Sequence, residues 1–390
     1  MKPAASFPTA ALGAALLLAQ TGCRGGTADT DRAPLGIGVG AIPGAPNYDE
    51  VVQGVELAVA QLNQSAGGVR FRVRLPDTGT TSAVRVAEQL RNDPSVIAVV
   101  GHPESGNALE TIPVYADAEH AGANAVVAVS PTSTSPRLTG ISPWFFRVAP
   151  SDADAAGYTA RWVLDTLGAR RAAIVYRNDS YGRDWAATFA SAFTSGGGRV
   201  LTRDPYLTDV VEWDAYAALI AAQRPDVVLF PGDGVDALAF MRALTARGVR
   251  VPFVGGDGTE TMQRDAAAAG AYFVSFFDEA RATGQEAQRF RSAYRASYDR
   301  APNMFAALSY DATLVVGRTV VNGARSRTAL RLALERVGNG APSMDGVAGR
   351  IAFDKQHDIT GRSVVISRVP GDATPGAGDL PTSGSRRGGR

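Results

Sequence analysis

The chain has 390 residues, 45% of them hydrophobic and 20% charged, with 43 Gly, 22 Pro, one Cys and a net charge of +1. That length suits two or three packed domains, and that apolar fraction excludes disorder throughout. The near-zero charge offers no general field for nucleic acid or anionic lipid, and a lone Cys excludes an internal disulfide framework and a thiolate zinc cluster.

At the N-terminus, Lys2 precedes AALGAALLLA (10–19), an apolar stretch of signal-peptide length that is too short to span a bilayer. QTGC follows, ending at Cys23. Thr21 and Gly22 before the only Cys resemble the lipobox of bacterial lipoproteins, although Gln20 stands where an aliphatic residue is usual. The resemblance implies a lipoprotein signal peptide over 1–22 and a lipid anchor at Cys23, tethering the chain to a membrane without spanning it. Loss of 1–22 removes Lys2 and no acid, leaving acidic and basic residues in balance. Beyond it no run approaches the roughly 20 apolar residues of a membrane-spanning helix. Residues 23–34 form a polar leader.

LGIGVGAI (35–42) then reads as a buried strand. A helix follows over 48–64, where Val51, Val55, Ala58 and Leu62 share a face and Asp49 and Glu50 sit in the first turn. VRFRVRL (69–75) alternates with period two, as a half-covered strand does. Helices around 81–92 and 106–121 alternate with strands at 95–101 and 125–130. At FFRVAP (145–150) the pattern restarts, with helices at 152–167, after Tyr181, around 212–223 and at 235–247. The matching strands fall at 172–176, 199–204, 226–230 and 251–256. Such alternation predicts parallel βαβ units, and two runs of about four strands predict two lobes. Residues 285–336 read as mostly helical, 351–354 and 363–369 as short strands. The Pro-, Gly- and Ser-rich stretch 370–390 lacks an apolar face and reads as a disordered tail.

Enzyme motifs are scarce. GIGVG (36–40) follows a strand, but the third Gly of a dinucleotide loop would fall at Pro43, and neither a Walker A nor a GxSxG sequence is present. His102, His120 and His357 are dispersed, with no metal-ligand spacing. His102 near Glu104 and Ser105 lacks a second acid–base partner or an oxyanion loop. No enzyme activity, cofactor or metal is therefore expected. The informative segments follow strands: GHPESGN (101–107), SPTSTSP (130–136), RNDSYGRD (177–184), PGDG (231–234) and GGDG (255–258). Ligands of open parallel sheets bind at such carboxyl ends, where helix N-termini favour anions. First-lobe Ser and Thr hydroxyls suit a carboxylate; second-lobe Tyr181, Asp233 and Asp257 suit an ammonium. Plainer roles stay open: Ser105 and Thr134 as helix caps, Asp233 and Asp257 as turn residues, Tyr181 as packing.

In this order, GHPESGN, SPTSTSP, FFRVAPSDAD, IVYRNDSYG, DVVLFPGDG and FVGGDG resemble the leucine/isoleucine/valine-binding family of ABC-importer receptors over about residues 35–369. The resemblance implies the type I periplasmic-binding fold, an α/β protein of two lobes, each a mostly parallel sheet flanked by helices. A three-crossover hinge near 148–151, 274–278 and 348–354 would join lobe 1 (35–149 plus 276–349) to lobe 2 (150–275 plus 350–369). By the same resemblance Ser105 and Thr134 hold the ligand carboxylate, with Thr132 offering backbone groups. Asp257 pairs with the ammonium, Tyr181 and Asp152 match the family's aromatic and acid, and Tyr48 lies over the side-chain pocket. The sequence departs from the family at Asp233, often an aromatic there, and at Glu104 and Asn107. More acid suggests a polar or cationic ligand rather than leucine. The implied function is an extracytoplasmic solute-binding lipoprotein of the bacterial cell envelope, which captures an amino acid or analogue for an ABC permease. A ligand sensor of the same fold and a structural envelope lipoprotein with a vestigial cleft are the alternatives; a neighbouring permease gene or a ligand-dependent partner separates them.

Overall fold

The computed structural model describes residues 33–65 and 68–371. Cys23, the signal segment and residues 372–390 lie outside them. In the first lobe, β1 (Leu35–Gly40), α1 (Tyr48–Ser65), β2 (Phe71–Arg74), α2 (Ala83–Asn92), β3 (Val96–Gly101), α3 (Ser105–Tyr115), β4 (Val127–Ser130) and β5 (Phe145–Arg147) follow one another. The strands pair in parallel in the order β2-β1-β3-β4-β5. β3 is buried along its whole length, as a central strand covered on both faces must be, and its sequence VIAVVG is correspondingly unalternating.

The second lobe repeats the plan. α4 (Asp152–Asp165), β6 (Arg171–Arg177), α5 (Ser180–Ser195), β7 (Arg199–Tyr206), α6 (Trp213–Gln223), β8 (Val227–Phe230), α7 (Gly234–Ala246), β9 (Phe253–Gly255) and β10 (Tyr272–Ser275) build it. Three helices then return to the first lobe: α8 (Gln285–Tyr298), α9 (Met304–Val321) and α10 (Arg327–Leu334). A two-stranded ladder, β11 (Met344–Asp345) with β12 (Arg350–Ile351), precedes β13 (Val365–Arg368). β13 closes the second sheet, ordered β13-β10-β9-β8-β6-β7, as its one antiparallel strand. The chain thus crosses between sheets three times: after β5, after β10 and before β13.

In each sheet the order reverses at one point, between β1 and β3 and between β6 and β8. Adjacent strands there send their connections to opposite faces, which opens a crevice at their carboxyl ends. β5 and β10 are strands that the sequence pattern did not separate. β5 has three residues, and β10 lies within the run AYFVSFF, apolar but for Ser275, which has no period to distinguish strand from helix. α3 stops at Tyr115 rather than near 121, because Asp117 and Ala121 turn to positive φ and leave a single 3₁₀ turn between them.

α9 is long and apolar enough by composition to cross a membrane, yet it is 89% buried within the protein. It packs along α1 at close range: a Cβ at Gly54 would strike the Ala306 carbonyl, and one at Gly317 would strike Leu62. Two fully buried guanidiniums pin the crossovers. Arg147 grips Asp358 through Nε to Oδ1 and Nη2 to Oδ2, both 2.6 Å, and also donates to the Ser135 carbonyl. Arg362 pairs with Asp311 of α9 at 3.1 Å and donates to the Val148 carbonyl. Residues 351–362 consequently lie against β5 and α9 before the chain enters β13.

Candidate functional site

Loops leaving β1, β3, β4, β6, β8 and β9 meet around a cavity of about 240 Å³ between the lobes. Sites for drug-sized ligands run ~300–1,000 Å³, so this one suits a molecule of amino-acid size.

The first-lobe wall begins with two strand ends in near contact. Gly101 has φ +147°, and any Cβ there would collide with the Gly40 backbone, so only glycine allows the β1 and β3 loops to leave side by side. Ser105 heads α3, and its hydroxyl oxygen accepts the Thr134 and Ser135 N–H groups, each at 3.2 Å. It therefore ties the loop after β3 to the loop after β4. Glu104 stands at the cap position of α3 but makes no side-chain cap bond, which leaves the partial positive charge of the helix start uncompensated there. The Thr132 hydroxyl donates to the Pro103 carbonyl at 3.0 Å. Ser105 and Thr132 line the cavity, whereas Thr134 and Asp152 do not. Those two are fully buried beside one another, Asp152 N–H donating to the Thr134 carbonyl at 2.8 Å. The Thr134 hydroxyl faces the Asp152 carboxylate, and neither group meets any other side chain in a hydrogen bond among the described residues. Burial, reinforced by the Asp257 charge, raises Asp152 well above the usual carboxylate range.

The second-lobe wall centres on Asp257, 3% exposed. The Tyr181 hydroxyl, from the first turn of α5, donates to Asp257 Oδ1 at 2.9 Å and accepts the Gly258 N–H at 3.2 Å. Burial lifts Asp257 to about 6. A Cβ at Gly256 would strike the Tyr181 hydroxyl, and one at Gly258 the Gly232 carbonyl, so GGDG keeps the tyrosine and acid in register.

Asp233 lines the cavity as the sequence suggested, but its charge is engaged. Oδ1 accepts the Asp236 N–H at 2.9 Å as the cap of α7, and Oδ2 takes Arg177 Nη1 at 3.4 Å. Arg177 Nε donates to Asp179, itself the cap of α5 through the Gly182 N–H. Glu104 accepts Asn107 Nδ2 at 3.0 Å, and burial raises its pKa. Tyr48 packs against the core outside the lining, where Ala45, Pro46 and Asn47 take the expected position. Sequence reasoning did not single out Arg177 or Phe305, both of which line the cavity. Arg177 stood inside the quoted loop RNDSYGRD; Phe305 arrives from α9, with no local signal.

Outside the cavity the lobes also touch. Asp184 of α5 accepts from the Ser135 hydroxyl and from Arg137 Nε at 2.9 Å. Glu50 of α1 pairs with Arg264 of the second lobe at 3.1 Å.

A sequence model for periplasmic binding proteins matches residues 43–374. A Leu/Ile/Val-binding protein of Rhizobium johnstonii is 28% identical over 63% of this chain and 67% of its own. The Leu/Ile/Val-binding protein of Escherichia coli K12 is 25% identical over 56% of this chain, a match that spans only 60% of the relative's length. An ABC transporter substrate-binding protein of Desulfitobacterium hafniense, solved with Leu, superposes with a TM-score of 0.73 at 26% identity, covering 86% of this chain and 97% of that one.

Proposed function

Because the chain belongs to the periplasmic binding protein family, we propose that it captures an amino acid in the interlobe cavity, on the extracytoplasmic side, and presents it to an ABC permease. The observation that carries this reading is the chemical opposition of the two walls. The Ser105 hydroxyl, the Thr132 backbone N–H and the start of α3 offer neutral donors and a helix N-terminus to a carboxylate. Asp257, steadied by Tyr181, offers a buried anion to an ammonium. A zwitterion satisfies both walls only when the lobes come together, so its binding energy favours the closed arrangement. The hinge of this reading is the three crossovers, but the third falls between Arg362 and β13 rather than at 348–354, because Asp358 and Arg362 are held to Arg147 and Asp311 of the first lobe; lobe 1 is then 35–149 plus 276–362 and lobe 2 is 150–275 plus 363–369. Thr134 and Asp152 support the carboxylate wall from behind. Capture proceeds without chemical turnover, and Cys23 serves as the lipid tether. Thermal unfolding against the common L-amino acids tests the reading: a ligand specific for the folded state raises the melting temperature, and a complete absence of shifts contradicts it.

A further inference from the structure

The lining of the cavity holds one side-chain donor and one side-chain acceptor that other side chains leave unused. Arg177 bridges the two helix-capping aspartates through Nε and Nη1, while Nη2 meets no acceptor among the described residues. Its side chain is 25% exposed and lines the cavity. In the same lining, Glu104 spends Oε2 on Asn107, and Oε1 meets no side-chain donor among the described residues. We propose that this pair reads a neutral carboxamide, so that the captured solute is an amide amino acid such as L-glutamine or L-asparagine. The proposal rests on the amino-acid reading of the cavity.

Each rival side chain leaves something unsatisfied. A carboxylate meets the free corner of Arg177 but also faces Glu104 and the aspartates at positions 179 and 233. A cation meets Glu104 but leaves Arg177 Nη2 without an acceptor. A branched aliphatic group covers Nη2 and Oε1 and replaces neither water contact, so two polar groups lose their partners on binding. A carboxamide accepts from Arg177 and donates to Glu104, with no net charge to compensate. Asp233 is thereby a support for Arg177 rather than a contact for a cationic ligand.

Isothermal titration of the protein with L-glutamine, L-asparagine, L-glutamate, L-lysine and L-leucine tests this. An amide amino acid is expected to bind at least about tenfold more tightly than the other three. Glu104→Gln, which preserves shape, is expected to weaken that amide about tenfold while changing L-leucine by less than about threefold. Arg177→Met should act likewise; because it also frees two capping aspartates, its melting temperature is measured alongside, and Glu104→Gln decides if it unfolds. Equal or tighter binding of L-leucine, or an amide affinity unmoved by Glu104→Gln, overturns the carboxamide assignment while leaving amino-acid capture intact. Binding of none of the five at millimolar concentration overturns both.

Discussion

The Tyr181 hydroxyl donates to the Asp257 carboxylate at 2.9 Å, joining the loop after β6 to the loop after β9 at the floor of the cavity. Tyr181→Phe removes one neutral donor to that anion and is expected to cost about 1 kcal/mol of ligand affinity, roughly fivefold in Kd. Asp257→Ala leaves the ligand ammonium unpaired in a desolvated site and should cost about 2–5 kcal/mol. Calorimetric titration reads both, with circular dichroism to show that the fold is retained.

Burial lifts Asp257 to about 6 and Glu260, which accepts the Met304 N–H at 2.9 Å, to about 8. In the unfolded chain both ionise near pH 4, so from about pH 4 to 8 the folded state binds more protons than the unfolded one. The contribution of these two groups to the stability of the ligand-free protein therefore falls as pH rises through that window. Ammonium capture has the opposite sign, because Asp257 must be ionised: affinity rises from about pH 5 to 7 and then flattens. Thermal unfolding and ligand titration across pH 4–9 follow the two trends separately.

Much of this site was legible because function in a parallel sheet gathers at strand ends, and Ser105, Thr132, Tyr181, Asp233 and Asp257 all stand in loops after predicted strands. What the sequence did not disclose depends on spatial order. Asp233 is distant from Arg177 in the chain, and only the adjacency of β6 and β8 brings it to the guanidinium that Asp179, two residues on, also holds. Asp233 read alone is a spare acid; beside Arg177 it is half of an ion pair. Tyr48 illustrates the converse, since helical phase turns it toward the core and leaves the cavity to its neighbours.

Arg147 is fully buried and holds Asp358 with two hydrogen bonds. Arg147→Met strands the aspartate, and Asp358→Asn strands the guanidinium; breaking one side of such a pair costs about 3–5 kcal/mol. Urea denaturation should show that loss in each single variant. The loss in the double variant Arg147→Met/Asp358→Asn is expected to be smaller than the sum.

Asp184 receives Ser135 and Arg137 from the other lobe, away from the cavity. Asp184→Ala removes contacts made only when the lobes meet, so it is expected to weaken ligand binding by about threefold to tenfold while leaving ligand-free stability nearly unchanged. Titration beside urea denaturation separates this from a general loss of fold.

The most direct test compares the best-binding L-amino acid with its desamino analogue, which keeps the carboxylate and side chain but lacks the ammonium, on the native protein and on Asp257→Asn. Recognition of a zwitterion by opposed walls predicts that the native protein prefers the amino acid by at least about thirtyfold and that Asp257→Asn loses most of that preference. Equal affinity for both compounds in the native protein, or an undiminished preference in Asp257→Asn, would contradict it.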